Sequence, residues 1–110
     1  MQELRIKYLQ EEIENFPDDP FNYYALALEY VKTNQEEAAG LFGKILSEFP
    51  AYLPVYYQAA NFYFETGNYP VAEKLFLKGI ELAGAQDNPK TLKELQGSYS
   101  LFKSETEDEF

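Results

Sequence analysis

The sequence predicts an all-α protein, and this fold class rests on three observations. Two segments repeat one another: Tyr23 corresponds to Tyr56 at a shift of 33 positions. Ala38 corresponds to Ala72 at a shift of 34. Within each copy, apolar residues recur with the spacing of one helix face. Residues that end or begin helices separate these periodic stretches, as Gly67 does in the second copy. Each copy is therefore expected to form a pair of helices.

Each copy carries two apolar stripes, one for each predicted helix. Residues of a stripe lie three, four, seven or eight positions apart and therefore share a helix face. The stripes of the second copy are Tyr56, Ala59, Ala60 and Tyr63, followed by Ala72, Phe76, Gly79 and Ile80. The matching residues of the first copy are Tyr23, Leu26, Ala27 and Tyr30, followed by Ala38 and Phe42. We expect these side chains to form the core.

Helix boundaries are indicated by capping residues. Asp19 and Asn88 each precede a proline, which is typical of a helix start. Asn34 and Glu37 form a plausible capping pair for the second helix of the first copy. Gly67 can adopt the left-handed conformation that ends a helix. These signals place the predicted turns between the apolar stripes.

The pattern of the two copies resembles the tetratricopeptide repeat (TPR), which reads W-x2-L-G-x2-Y…A-x3-F…P over ~34 residues. The first copy reads Tyr23-x2-Leu26-Ala27-x2-Tyr30…Ala38-x3-Phe42…Pro50. The second reads Tyr56-x2-Ala59-Ala60-x2-Tyr63…Ala72-x3-Phe76, with Gly84 in place of the proline. Tyr replaces Trp and Ala replaces Gly, so large and small positions are kept. The resemblance, to small bacterial-type TPR proteins, implies a right-handed α-α superhelix of about six helices.

The flanking segments fit the same frame. We predict a single TPR-like domain over residues 1–104, because both flanks match half of a repeat and would cover the ends of the stack. Its parts are an N-terminal half-repeat at 3–17, repeats at 20–50 and 53–84, and a C-terminal capping helix at 88–103. Residues 105–110 are predicted to form an acidic tail.

The composition narrows the possible functions. The chain has 9 Lys+Arg and 19 Asp+Glu, a formal net charge of -10, which disfavours nucleic acids and anionic membranes and mildly favours basic partners. It contains no Cys and no His, which removes thiol and imidazole catalysis and most zinc sites. We expect no cofactor and no metal. Because the start lacks the apolar run of a signal peptide, we expect a cytoplasmic protein.

No residue set indicates catalysis, and we predict that the protein is not an enzyme. Adjacent carboxylates such as Glu11 and Glu12 point apart on a helix, so a solvated face explains them. The glycines form no phosphate-binding loop. Gly40 and Gly43 fall inside a predicted helix, where we expect them to permit close packing.

The TPR resemblance implies a binding surface, since the first helices of successive repeats line a concave groove in that family. The positions that match it in the first copy are Phe21, Tyr24, Leu28, Val31 and Lys32. Those in the second are Pro54, Tyr57, Asn61, Phe64 and Glu65. The aromatic residues suit peptide anchoring, and Asn61 could pair with a peptide backbone. The predicted binding residues are Phe21, Tyr24, Leu28, Val31, Tyr57, Asn61 and Phe64.

Three occupants of this surface stay open at the level of sequence. A peptide or protein partner could bind there, and a basic partner would suit the net charge. A second copy of the chain could cover it in a homodimer, because contiguous apolar surface seldom stays uncovered. The predicted helix at 88–103 could instead cover it from within. The family's clamp for acidic chaperone C-termini is not matched, since Tyr24 and Leu28 occupy clamp positions.

Overall fold

The computed structural model describes residues 2–107, and that part of the chain forms six α-helices and no strand. They are α1 (Gln2–Asn15), α2 (Pro20–Tyr30), α3 (Gln35–Glu48), α4 (Pro54–Glu65), α5 (Tyr69–Ala85) and α6 (Pro89–Thr106). The prediction of an all-α fold with about six helices is confirmed.

The capping residues begin the helices as their chemistry predicts. The side-chain oxygens of Asp19, Asn34 and Asn88 accept backbone N–H groups two or three residues further on, at 3.0, 3.2 and 3.1 Å. Each bond satisfies a donor that the first helical turn leaves unpaired. Gly67 has a φ of 88°, so the left-handed helix end is also confirmed. Asn68 caps α5 in the same way.

The chain forms two compact units, Met1–Val55 and Tyr56–Phe110. In the first unit, α2 packs against both α1 and α3. Its core cluster joins α1 to α2 and contains Leu9, Ala25 and Leu26, with Ile6, Ile13, Tyr30 and Leu41 packed around it. Helix α1 therefore covers one side of α2. A single domain over residues 1–104 stays a prediction.

The second unit is built around an aromatic cluster in which α5 packs against α6. Phe102 of α6 is 1% exposed and lies at its centre. The rings in contact with Phe102 have centroids 5.2 to 6.1 Å away and belong to Phe64, Tyr69, Phe76 and Tyr99. A residue of the C-terminal helix thus closes the core of this unit.

Most stripe positions of the two copies are buried, as the helical spacing predicts. Ala38 and Phe42 in the first copy and Ala72 and Phe76 in the second have no exposed surface. The stripes of the first helices are buried too, except that Tyr30 and Tyr63 are half-buried. The stripes of large and small apolar residues therefore form the core of both copies.

The prediction that Gly40 and Gly43 permit close packing is wrong. Both are exposed, and a Cβ atom built at either would meet nothing within 4 Å. The close approach is at Gly79 of α5, where a Cβ would lie 2.8 Å from the Cβ of Tyr56 and 3.1 Å from a methyl carbon of Leu95. Gly79 lies on the buried stripe of its helix, whereas Gly40 and Gly43 face away from the core.

The predicted boundary between α6 and the acidic tail is also wrong. The helix continues through Ser104 and Glu105 to Thr106, whose side chain is buried. The Thr106 hydroxyl donates to the carbonyl of Phe102 at 2.8 Å, which satisfies it inside the helix. Of the predicted tail, residues 108–110 lie outside the described residues.

Candidate functional site

The α2 face combines one exposed aromatic ring with a half-buried apolar row. Phe21, Tyr24, Leu28 and Val31 follow one another at intervals of three, four and three residues along this face. Phe21 is 53% exposed, and the other three are half-buried. Asp19 caps the helix beside Phe21, so the position of this ring is set by the first helical turn.

Tyr24 does not stand alone on α2, because its ring meets the loop that follows α3. The ring centroids of Tyr24 and Tyr52 are 5.6 Å apart in an edge-on arrangement. The backbone N–H of Tyr52 donates to the carbonyl of Phe49 at 2.9 Å and closes the turn that presents its ring. Sequence reasoning missed Tyr52. Its only signal was an aromatic residue just after the Phe49-Pro50 pair that ends the first copy.

Beside this contact lies a cleft of about 420 Å³, which we name the loop-end cleft. Its walls come from the start of α2 and from the loop between α3 and α4. The lining residues are Pro20, Glu48, Phe49, Pro50, Ala51 and Tyr52. All of them belong to the first unit, so the cleft is complete within it.

The hydroxyl of Tyr52 is partly buried and lies near negative charge. Burial is the largest cause that raises the pKa of Tyr52 above its usual value, and the neighbouring Tyr24 and Asp19 raise it further. The Asp19 effect shows that the carboxylate which caps α2 also acts on the cleft. A group carrying positive charge would be favoured at this position.

On the α4 face, Asn61 and Phe64 already make contacts within the second unit. The Nδ2 of Asn61 donates to the carbonyl of Tyr57 at 2.9 Å, one turn earlier in the same helix. The ring of Phe64 packs edge-on against Phe102 with centroids 5.2 Å apart. Within the second unit, α6 therefore contacts one end of this face, as the alternative of internal coverage expects.

The predicted binding residues thus form one group in each unit. The α2 group consists of Phe21, Tyr24, Leu28 and Val31, and the α4 group consists of Tyr57, Asn61 and Phe64. The flanking positions Lys32, Pro54 and Glu65 are exposed. A single groove formed by both groups stays a prediction.

Comparison with known proteins identifies the family. A family model described as tetratricopeptide repeat matches residues 32–95. The chain belongs to the tetratricopeptide repeat family. A solution NMR structure of a tetratricopeptide repeat domain protein from Salinibacter ruber is 32% identical, with a TM-score of 0.75 over 80% of this chain and 90% of that one. A crystal structure of a tetratricopeptide repeat domain protein from the same organism is also 32% identical, with a TM-score of 0.74 over 79% and 98%. No curated protein matches at a significant level.

Membership in the TPR family sets the general class of function. TPR domains generally mediate protein–protein interactions, and TPR proteins are generally non-catalytic scaffolds. In this TPR chain, residues 2–107 contain no group of three or more metal-binding side chains that could hold an ion. None of the helices in that range combines the length and apolar character needed to cross a bilayer.

Proposed function

We propose that this TPR chain is a non-catalytic interaction module that binds a peptide or protein segment through the α2 and α4 groups. The observation that carries the proposal is the exposed ring of Phe21 at the head of a continuous apolar row on α2. Aromatic side chains, phenylalanine among them, are enriched at protein–protein interfaces, and a contiguous apolar surface seldom stays uncovered. The family supports the same class of function.

Tyr24 of the α2 group favours binding because its ring is already held in place. Tyr24 is held by the ring of Tyr52, so little side-chain entropy is lost when a partner covers it. Tyrosine also offers an apolar ring and a polar hydroxyl, which suits a partly hydrated interface. The α2 group therefore supports a partner that places apolar side chains along the helix.

In the α4 group, Tyr57 and Asn61 are the residues that a partner would contact first. The Asn61 amide nitrogen already bonds to the Tyr57 carbonyl, so the side-chain oxygen is the atom that would accept a partner's backbone N–H. Phe64 contributes less, since its ring already contacts Phe102. This assignment adjusts the predicted roles within the group without removing a residue from it.

The test is a pull-down with matched variants, followed by mass spectrometry. The test variant combines Phe21→Ala with Tyr57→Ser, which removes one ring from each group and leaves the Phe64–Phe102 contact in place. The control combines Leu4→Ala with Leu101→Ala, since these residues are 65% and 56% exposed and belong to neither group. We expect the partner captured by the unmodified chain to be lost only with the test variant. Retention by both variants would exclude these groups as the binding surface.

Self-association through the same residues is the competing outcome. Light scattering over a range of concentrations would show a mass that rises toward the dimer, and the Phe21→Ala/Tyr57→Ser variant would abolish that rise. A monomer at high concentration would exclude it. The two experiments together separate a partner-binding module from a homo-oligomer that uses the same surface.

A further inference from the structure

The loop-end cleft has an apolar floor that the surrounding structure holds in place. The rings of Phe49 and Tyr23 have centroids 6.0 Å apart, and the Tyr23 hydroxyl donates to the carbonyl of Pro17 at 2.9 Å. This bond ties the loop between α1 and α2 to the cleft wall. The prolines on both sides restrict the backbone further. The cleft is thus preorganised to receive a side chain.

A second cleft, of about 500 Å³, adjoins the loop-end cleft at Pro20. The loop between α1 and α2 lines it, from Asn15 to Pro20. Phe16 in that loop is 58% exposed, and Asp18 and Asp19 lie next to it in the sequence. An apolar surface with carboxylates beside it therefore continues on both sides of Pro20, and two adjoining clefts suit a short peptide segment better than one small molecule.

Negative charge predominates in the segments that carry the two clefts. Residues 8–31 contain six Asp and Glu residues and no Lys or Arg, and residues 45–73 contain no Lys or Arg either. Lys44 is the cation nearest in the sequence to the residues that line the clefts. Its Nζ donates to Glu48 at 2.8 Å and lies 5.2 Å from the centre of the Tyr23 ring. Within residues 2–107, neither Asp18 nor Asp19 forms an ion pair with a lysine or arginine. Their field favours positively charged groups that approach the clefts.

We infer that the loop-end cleft binds a basic segment of a partner protein, with an apolar side chain against Phe49 and Tyr52 and Lys or Arg side chains against Asp18 and Asp19. This deepens the proposed function and rests on it. It adds a contact outside the α2 and α4 groups and names the chemistry of the partner. The segment lies across Pro20, so that its apolar residue and its charges engage both clefts together.

A second copy of this chain is the competing occupant, because Leu77 on α5 is half exposed and lies near Lys74 and Lys78 in the helix. Two copies, however, would bring together two chains that each carry a formal net charge of -10. Repulsion between the two negative chains weakens association of copies, whereas the same negative charge attracts a basic partner. The α5 residues therefore serve as an internal control in the test.

The test is a titration of the ¹⁵N-labelled chain with three synthetic peptides, followed by NMR chemical shifts. The probe peptide has one leucine with two lysines on each side. One matched peptide replaces the lysines with glutamates, and the other replaces the leucine with glycine. With the probe we expect shift changes at residues 16–21 and 48–53, and binding at least about tenfold weaker for the glutamate peptide. Added salt should weaken probe binding, since the charges are exposed.

Three variants locate the binding. Asp18→Asn combined with Asp19→Asn removes two charges and keeps a capping side chain at position 19, and we expect severalfold weaker binding. Ala51→Arg places a cation and a long side chain in the loop-end cleft and should abolish binding. Glu11→Gln removes a charge from the exposed side of α1 and should leave binding within about twofold. Unchanged helix content and unfolding midpoints establish that each variant is folded.

Four outcomes would overturn the inference. The first is equal binding of the lysine and glutamate peptides, and the second is no shift with any peptide at millimolar concentration. The third is a set of shifts confined to Tyr57 and Asn61. The fourth is a set of shifts at the cleft that depend on protein concentration in the absence of peptide and that disappear in the Lys78→Glu variant. The last outcome would assign the cleft to a second copy. In the pull-down, a partner lost with Phe21→Ala/Tyr57→Ser but kept with Ala51→Arg overturns only the cleft, so the proposed function can stand or fall separately.

Discussion

The helices α2 and α4 occupy equivalent positions in the two repeats, yet they present different surfaces. Val31 of the first repeat corresponds to Phe64 of the second at a shift of 33 positions. Val31 ends an apolar row that begins with an exposed ring, whereas Phe64 packs against Phe102 of the C-terminal helix. Equal spacing in the sequence therefore fixes the direction of a side chain but not whether another element covers it.

The difference follows from which residues the flanking helices α1 and α6 bury in their own units. The segment after the second repeat forms an 18-residue helix, α6, which carries Phe102 and Thr106 into the core of its unit. The apolar residues that α1 buries lie against α2 on its packing side, beside Ala25 and Leu26. Phe21, in the first turn of α2, is left 53% exposed. Binding in this chain is thus expected to depend more on the first unit than on the second.

The largest effect is expected when the aromatic core of the second unit is opened. Phe102→Ala should lower the free energy of unfolding by about 3–5 kcal/mol, because a fully buried ring in contact with four others is lost. Leu101→Ala on the same helix is the control, since Leu101 is 56% exposed, and it should cost at most about 0.5 kcal/mol. Urea unfolding measures both. Similar costs for the two variants would contradict the assignment of Phe102 to the core.

A smaller effect is expected from the close approach of α5 to its neighbours. Gly79→Ala should cost about 1–3 kcal/mol, because its Cβ would lie 2.8 Å from the Cβ of Tyr56 and must displace helix backbone. Gly43→Ala in α3 should instead stabilise the protein by about 0.5–1 kcal/mol, since the new Cβ meets nothing and alanine favours helix. Thermal unfolding of the two variants gives opposite shifts in Tm if the packing is as described.

The contrast between the two binding groups can be tested by removing one ring from each. Phe64→Ala should cost about 1–2 kcal/mol, because its ring contacts both Phe102 and Tyr69. Phe21→Ala should change stability by no more than about 0.5 kcal/mol while weakening partner capture. Chemical unfolding and the pull-down are measured on the same preparations. A stability loss at Phe21 equal to that at Phe64 would remove the difference between the groups.

The smallest effect is expected at alkaline pH and concerns the tyrosine hydroxyls. Burial raises the pKa of Tyr52, Tyr56 and Tyr63 above 10.0, and burial with a bond to Glu73 raises that of Tyr99. A raised pKa means that the folded chain favours the protonated phenol. This contribution to stability is complete below pH 10 and is lost as the pH rises through the raised values. Tyrosinate absorbance should therefore titrate at higher pH in the folded than in the urea-unfolded chain, and Tyr99→Phe should reduce the difference.

Much of the fold could be predicted because its determinants are local or periodic. The caps at Asp19, Asn34 and Asn88 need only a side chain and a nearby N–H, so sequence order alone places them. Burial of Ala38 and Phe42 follows from helical spacing. These features need no knowledge of how distant segments meet.

The remaining features depend on contacts that spacing does not encode. Whether a glycine permits close packing depends on the face it occupies, which is why Gly79 rather than Gly40 has this role. The end of α6 depends on burial of Thr106, which outweighs the acidity of its neighbours. In the candidate site, Tyr52 was missed because its position depends on the conformation of a loop.

The absence of lysine and arginine from residues 8–31 and 45–73 has a practical consequence for mapping an interface. Trypsin cleaves only after Lys7, Lys32, Lys44 and Lys74 in this part of the chain, so each binding group leaves in one intact fragment. Amine-reactive cross-linkers cannot react with the side chains of the α2 group or the α4 group, because neither contains a lysine. Carboxylate-reactive cross-linkers and a glutamate-specific protease are the reagents suited to this surface.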